Sequence, residues 1–91
     1  MNQENQQNFI NNKAKLKWAC RRGMLELDVL LANFLEKSYS QLSDEEKHLF
    51  IRLLNCSDPE IFAWLMGHET PVDPDLLKIT HIIRRHARSA I

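Results

Sequence analysis

Four histidines, two cysteines and twelve acidic residues are the side chains here that could serve as metal ligands, nucleophiles or general bases. Their spacing does not assemble them. His48, His68, His81 and His86 form no i, i+4 pair with one another or with Cys20 or Cys56, and neither H-E-x-x-H nor C-x-x-C occurs. His81 falls on a polar helix face and is expected to be solvated. No G-x-S-x-G, phosphate-cradling loop or dinucleotide fingerprint is present, and two glycines cannot build such loops. Asp44, Glu45, Glu46, Asp58, Glu60, Asp73 and Asp75 sit at helix starts, where carboxylates cap free amides or meet the positive end of the helix dipole. Little is left for an acid/base pair in a cleft. The chain is therefore expected to have no catalytic residue, no metal site and no stably bound cofactor.

One segment stands apart, Trp18-Ala19-Cys20-Arg21-Arg22-Gly23-Met24-Leu25-Glu26. Leu16, Ala19 and Cys20 define the buried stripe of the first helix. Trp18 points away from that stripe, and Arg22 follows it at i+4, close enough to stack on the indole. Trp and Arg are the residues most enriched at binding hot spots. Gly23 turns the chain with nothing protruding, so a partner's backbone can come close. Glu26 lies just across the turn. This corner, including Arg21 and Met24, is the candidate docking surface. A blander account also stands: Gly23 as a helix stop, Arg22 and Glu26 as an ion pair between helices, and Trp18 folded over the N-terminal segment. Trp64 and Met66 pose a similar choice. A short helix carrying Ile61, Phe62, Trp64, Leu65 and Met66 cannot bury them all, so Trp64 or Met66 either packs in the core or faces a partner.

The elements that position this corner are all helical; no stretch sustains the period-2 alternation of a strand. The first helix is expected over about Asn12 to Arg22, capped by Asn11 or Asn12 and ended by Gly23. The second runs from Met24 or Leu25 to Ser38. Leu27, Leu30, Leu31, Phe34 and Leu35 form one stripe, and Leu25, Val29 and Ala32 a second, which predicts a central, mostly buried helix. Ser43-Asp44-Glu45-Glu46 is a capping box opening a third helix that ends near Asn55. Asp58-Pro59 opens a fourth, with Asp58 as cap, and Gly67 closes it. Asp73-Pro74 opens a fifth, with Leu76, Ile79, Thr80, Ile83 and Ala87 on one face. The expected fold is all-α, five short helices around one core.

The chain has 91 residues, enough for a single domain that buries roughly 60–65% of its unfolded surface. Residues 9–91 are assigned to it, and the polar, amide-rich residues 1–8 to a disordered extension. Net charge is +0, which argues against a nucleic-acid binder despite basic clusters at Lys13–Arg22 and Arg84–Arg88. No apolar run reaches the roughly 18 residues of a membrane span, and the first eight residues lack a secretory core. Two unpaired cysteines in apolar settings indicate buried thiols and a reducing compartment. The expectation is a cytoplasmic monomer.

The corner also carries a resemblance. Trp18-Ala19-Cys20-Arg21-Arg22-Gly23-Met24 followed by Glu26-Leu27-Asp28 resembles the signature of the SdhE family, the FAD assembly (flavinylation) factors of succinate dehydrogenase. Its Arg-Gly-x-x-Glu core stands here as Arg22-Gly23-Met24-Leu25-Glu26. The likeness continues through Leu42–Lys47, Phe50–Leu54, Ser57-Asp58-Pro59 and Trp64-Leu65-Met66, so it covers residues 10–91. It implies a five-helix fold and a chaperone-like role: helping the flavoprotein subunit of succinate dehydrogenase, and of fumarate reductase, acquire covalent FAD. FAD and its acceptor histidine would belong to that partner, and Arg22, Gly23 and Glu26 would carry the family's functional motif. The family has also been labelled an antitoxin, which implies as an alternative a regulator binding an inner-membrane toxin or cytoskeletal target.

Overall fold

Short polar side chains set the helix starts. In the computed structural model, which describes residues 10–89, the Asn12 side chain accepts from the Lys15 amide at 3.1 Å and opens α1 (Lys13–Ala19). α2 (Leu25–Lys37) follows Met24 without a side-chain cap. A 3-10 turn, Tyr39–Gln41, leads into α3 (Asp44–Leu54), where Ser43 and Glu46 form the expected capping box. α4 (Asp58–Leu65) starts with a second capping box, Ser57 with Glu60. α5 (Pro74–Ser89) starts at Asp73, whose carboxylate accepts from the Asp75 and Leu76 amides. The described residues form five α-helices and no strand, which is the all-α bundle expected. The polar extension expected over 1–8 lies outside the described residues.

One core joins the helices. Leu16, Leu27, Leu31, Phe34, Phe50 and Ile83 are all but fully buried. The Phe34 and Phe50 rings lie 5.4 Å apart, as do those of Tyr39 and Phe50. The Tyr39 hydroxyl donates to the Ile10 carbonyl at 2.8 Å, tying the start of the described chain to the core.

Three expectations need correction. First, α1 ends at Ala19 with Cys20 as its cap, not at Arg22. Residues 20–24 form an irregular link, and Gly23 (φ +92°) is its left-handed residue rather than the stop of α1. Second, Ser57 and not Asp58 caps α4. Third, α2 buries only one stripe. It packs against α1, the 3-10 turn and α5, while Leu25 is 76% and Val29 53% exposed and Ala32 is also open. No other described element covers that second apolar side.

The end of α4 follows expectation. Gly67 has φ +79°, the His68 amide donates to the Ala63 carbonyl at 2.8 Å, and the Gly67 amide donates to Trp64 at 3.2 Å. Those two bonds make a Schellman stop.

Candidate functional site

The link between α1 and α2 is braced from both sides. Asp28, in the first turn of α2, reaches back over it. Its Oδ1 accepts from the Arg22 amide at 2.6 Å and its Oδ2 from the Gly23 amide at 3.2 Å. A carboxylate holding two consecutive amides fixes the turn strongly, because charge-assisted hydrogen bonds are roughly twice as strong as neutral ones.

The Arg22 side chain supplies the second brace. Nε donates to Asp58 Oδ1 at 2.8 Å, Nη1 to the Ala19 carbonyl at 2.9 Å and Nη2 to the Cys56 carbonyl at 3.3 Å. The guanidinium therefore links the end of α1 to the start of α4, and the side chain is only 17% exposed. Because Ser57 performs the capping, Asp58 is left for this ion pair. The expected placement of Arg22 on Trp18 is corrected. Arg21 occupies that position, its guanidinium carbon 5.9 Å from the ring centroid. Nor does Arg22 pair with Glu26, which makes no ion pair among the described residues. Arg22 is turned inward and builds the corner from within.

Gly23 faces open space. A Cβ placed there would meet nothing within 4 Å. The positive φ requires glycine for conformation, and the emptiness leaves the backbone approachable from outside. Trp18 is 75% exposed, so it does not fold over any described segment. Together with Arg21 it forms an aromatic-cation pair on the surface. Met24 is half-buried against the core.

Glu26 and Met66 come together elsewhere. With Leu25 and Val29 they line an open groove of about 770 Å³ between α2, the end of α4 and α5, where Arg84 and Arg88 form the far edge. Trp64, by contrast, packs in the core with 8% exposure. It offers no docking surface of its own, which corrects its placement among partner-facing residues; helix α4 turns it toward the bundle and leaves Met66, at its C-terminal cap, outside.

Burial pushes the Cys20 thiol up to about 11, against a smaller opposing pull from Arg22. Cys56 is also raised, again chiefly by burial. Neither is poised as a nucleophile, because the thiolate is the reactive form. Among the described residues no three His, Cys, Asp or Glu side chains converge on a metal-sized site, and no helix is long and apolar enough to cross a membrane.

Two positioning residues, Asp28 and Asp58, are not legible as such in the sequence, and Asp58 is there accounted for as a helix-start charge. A signal for Asp58 was present: Ser57-x-x-Glu60 is itself a capping box, and recognising it releases the aspartate.

These features define a small all-α protein whose distinctive residues form a braced turn and exposed surfaces. A family model described as flavinator of succinate dehydrogenase matches residues 14–87. The chain is 58% identical over 78 residues to the FAD assembly factor SdhE of Shewanella oneidensis, covering 86% of this chain and 95% of that one. It is 50% identical over 84 residues to the factor of the same name in Yersinia pseudotuberculosis, covering 90% and 96%. A solution structure of a UPF0350 protein superposes with a TM-score of 0.71 at 44% identity, over 86% of this chain and 83% of that one. The chain belongs to the SdhE family of succinate dehydrogenase flavinators. The antitoxin alternative gains no support from these relatives.

Proposed function

We propose that this chain is an assembly factor that binds the flavoprotein subunit of succinate dehydrogenase, and that of fumarate reductase, and promotes covalent attachment of FAD there. The observation that carries the docking mode is the Gly23 turn: held rigid by Asp28 and Arg22, yet with nothing within 4 Å of the missing side chain. A preformed turn loses little entropy on binding, and its bare backbone admits a close partner surface. Glu26 supplies an unpaired carboxylate just beyond it, and the Trp18–Arg21 pair flanks it. FAD and its acceptor histidine belong to the partner, and the chain itself holds no cofactor. Aligning those two reacting groups lowers the barrier without a catalytic group from the helper. The factor works as a cytoplasmic monomer.

The test is complementation in cells lacking the native factor, read by in-gel flavin fluorescence of the flavoprotein subunit. Gly23→Arg and Glu26→Ala should each abolish or sharply reduce the covalent flavin signal. Wild-type signal from both variants at normal protein levels would overturn the assignment.

A further inference from the structure

The groove between α2 and α5 has the makings of a second contact. Its floor comes from Leu25 and Val29 on the side of α2 that no other described element covers, with Met66 at the end of α4. Its two edges carry opposite charge. Glu26 stands on one, and Arg84 and Arg88, one turn apart on α5, stand on the other. None of the three charges has an ion pair among the described residues. The Arg84 guanidinium lies against Gly67, where an added Cβ would come within 2.8 Å of Nη2. Gly67 sits at the C-terminal end of α4, where carbonyl dipoles favour a cation.

We propose that this groove receives an amphipathic segment of the flavoprotein subunit. The segment's apolar face would rest on Leu25, Val29 and Met66, an acidic side chain would meet Arg84 and Arg88, and a basic one would meet Glu26. The proposal deepens the docking function above and rests on it. Continuity supports this occupant: Glu26 belongs both to the Arg-Gly-x-x-Glu corner and to the groove wall, so a partner on the turn reaches the groove without a gap. Charge supports it too. A free phosphate or nucleotide would be repelled by Glu26 and would leave the apolar floor bare. A second copy of this chain would bring a concave face against a concave face, which leaves voids where interfaces pack closely.

The test is the affinity of the purified full chain for purified apo-flavoprotein subunit at several salt concentrations. Three variants are compared: Arg84→Ala/Arg88→Ala, Val29→Asp and Gly23→Ala. The two groove variants should each weaken binding by about tenfold or more, and the arginine variant should flatten the salt dependence. Unchanged affinity in both groove variants, with binding lost in Gly23→Ala, overturns the groove and leaves the corner standing. Binding lost in the groove variants but intact in Gly23→Ala supports the groove and overturns the corner. Should a groove variant convert a self-associated wild-type protein to monomer in sedimentation without weakening flavoprotein binding, the groove is a self-contact and the proposal fails. Val29 and Arg88 are exposed, so Val29→Asp and Arg88→Glu alone supply folded variants if the double arginine variant does not fold.

Discussion

Arg22 and Asp58 are 36 residues apart in sequence, and their side chains meet at 2.8 Å to lock the α1–α2 link against the first turn of α4. The same guanidinium caps two otherwise free carbonyls, Ala19 and Cys56. Within the Arg22-Gly23-Met24-Leu25-Glu26 stretch the arginine acts as a brace, while the glycine and glutamate face outward.

Arg22→Ala should therefore destabilise the fold by roughly 2–3 kcal/mol, because it strands Asp58 and two partly buried carbonyls. Arg22→Lys should recover only part of that loss, since an ammonium cannot reproduce a fork with three separate acceptors. Urea unfolding followed by circular dichroism measures both. Stability unchanged in Arg22→Ala would place the arginine's role at a partner surface.

Gly23→Ala separates conformation from contact. A left-handed φ costs a non-glycine residue roughly 1–2 kcal/mol, and no neighbour in the chain adds a clash. The variant should remain folded at 25 °C, with a modestly lower urea midpoint. Its covalent flavin yield on the partner should fall much further than that midpoint accounts for. Parallel losses would mean that the glycine serves the fold alone. Asp28→Asn is the complementary variant. It keeps a similar shape, but its single carbonyl oxygen can accept from only one of the Arg22 and Gly23 amides and its NH2 group faces the other donor, so it should lower stability by about 1–2 kcal/mol.

What the sequence disclosed follows the range of the forces involved. Ser43 with Glu46, Gly67 and the Leu27–Leu31–Phe34 stripe are local signals, and each element they predict is present. The positive φ of Gly23 was legible for the same reason, though the end of α1 was not. That boundary is set by Asp28 reclaiming the Arg22 and Gly23 amides, and side-chain bonds to the backbone compete with helix in ways a wheel does not display. The inward turn of Arg22 depends on Asp58, which lies on a different helix. Periodicity identified a second apolar side on α2, but it cannot say whether another element covers that side. Leu25 and Val29 remained open, and that outcome produced the groove.

The thiols give a chemical check on the core. Cys20 is 1% exposed and its pKa is raised to about 11, whereas Cys56 is only half-buried. Under native conditions a disulfide reagent should modify Cys56 first, and Cys20 only at the rate of unfolding. In the unfolded chain Cys20 ionises near 9.0, but in the fold it stays protonated. Its contribution is fully present below that value and is lost as pH rises toward about 11, so the native state should weaken through this window. Tyr39, raised to about 12 by burial, extends the loss to higher pH. The urea midpoint measured from pH 8 upward, with Cys20→Ala as comparison, should show a shallower decline in the variant.

Acid should act through the α3–α5 contact. Arg52 donates to Asp73 and, at 3.1 Å, to Asp75, binding the start of α5 to α3. The Asp73 carboxylate is held below its usual value of 3.8, first by the Asp75 amide and then by the Leu76 amide and Arg52. A depressed carboxylate contributes stability that is present above the unfolded value and disappears as pH falls through the folded one. The stability supplied by the α5 anchor should thus start to fall once the pH drops below the ordinary carboxylate value of 3.8, and be lost when Asp73 finally takes up its proton in the fold. Asp73→Asn isolates the effect, because asparagine still caps a helix but carries no charge. At pH 7 it should be less stable than wild type, and between pH 5 and pH 3 its urea midpoint should fall less steeply. Parallel slopes in the two proteins would assign acid sensitivity to other carboxylates and reduce Asp73 to a neutral cap.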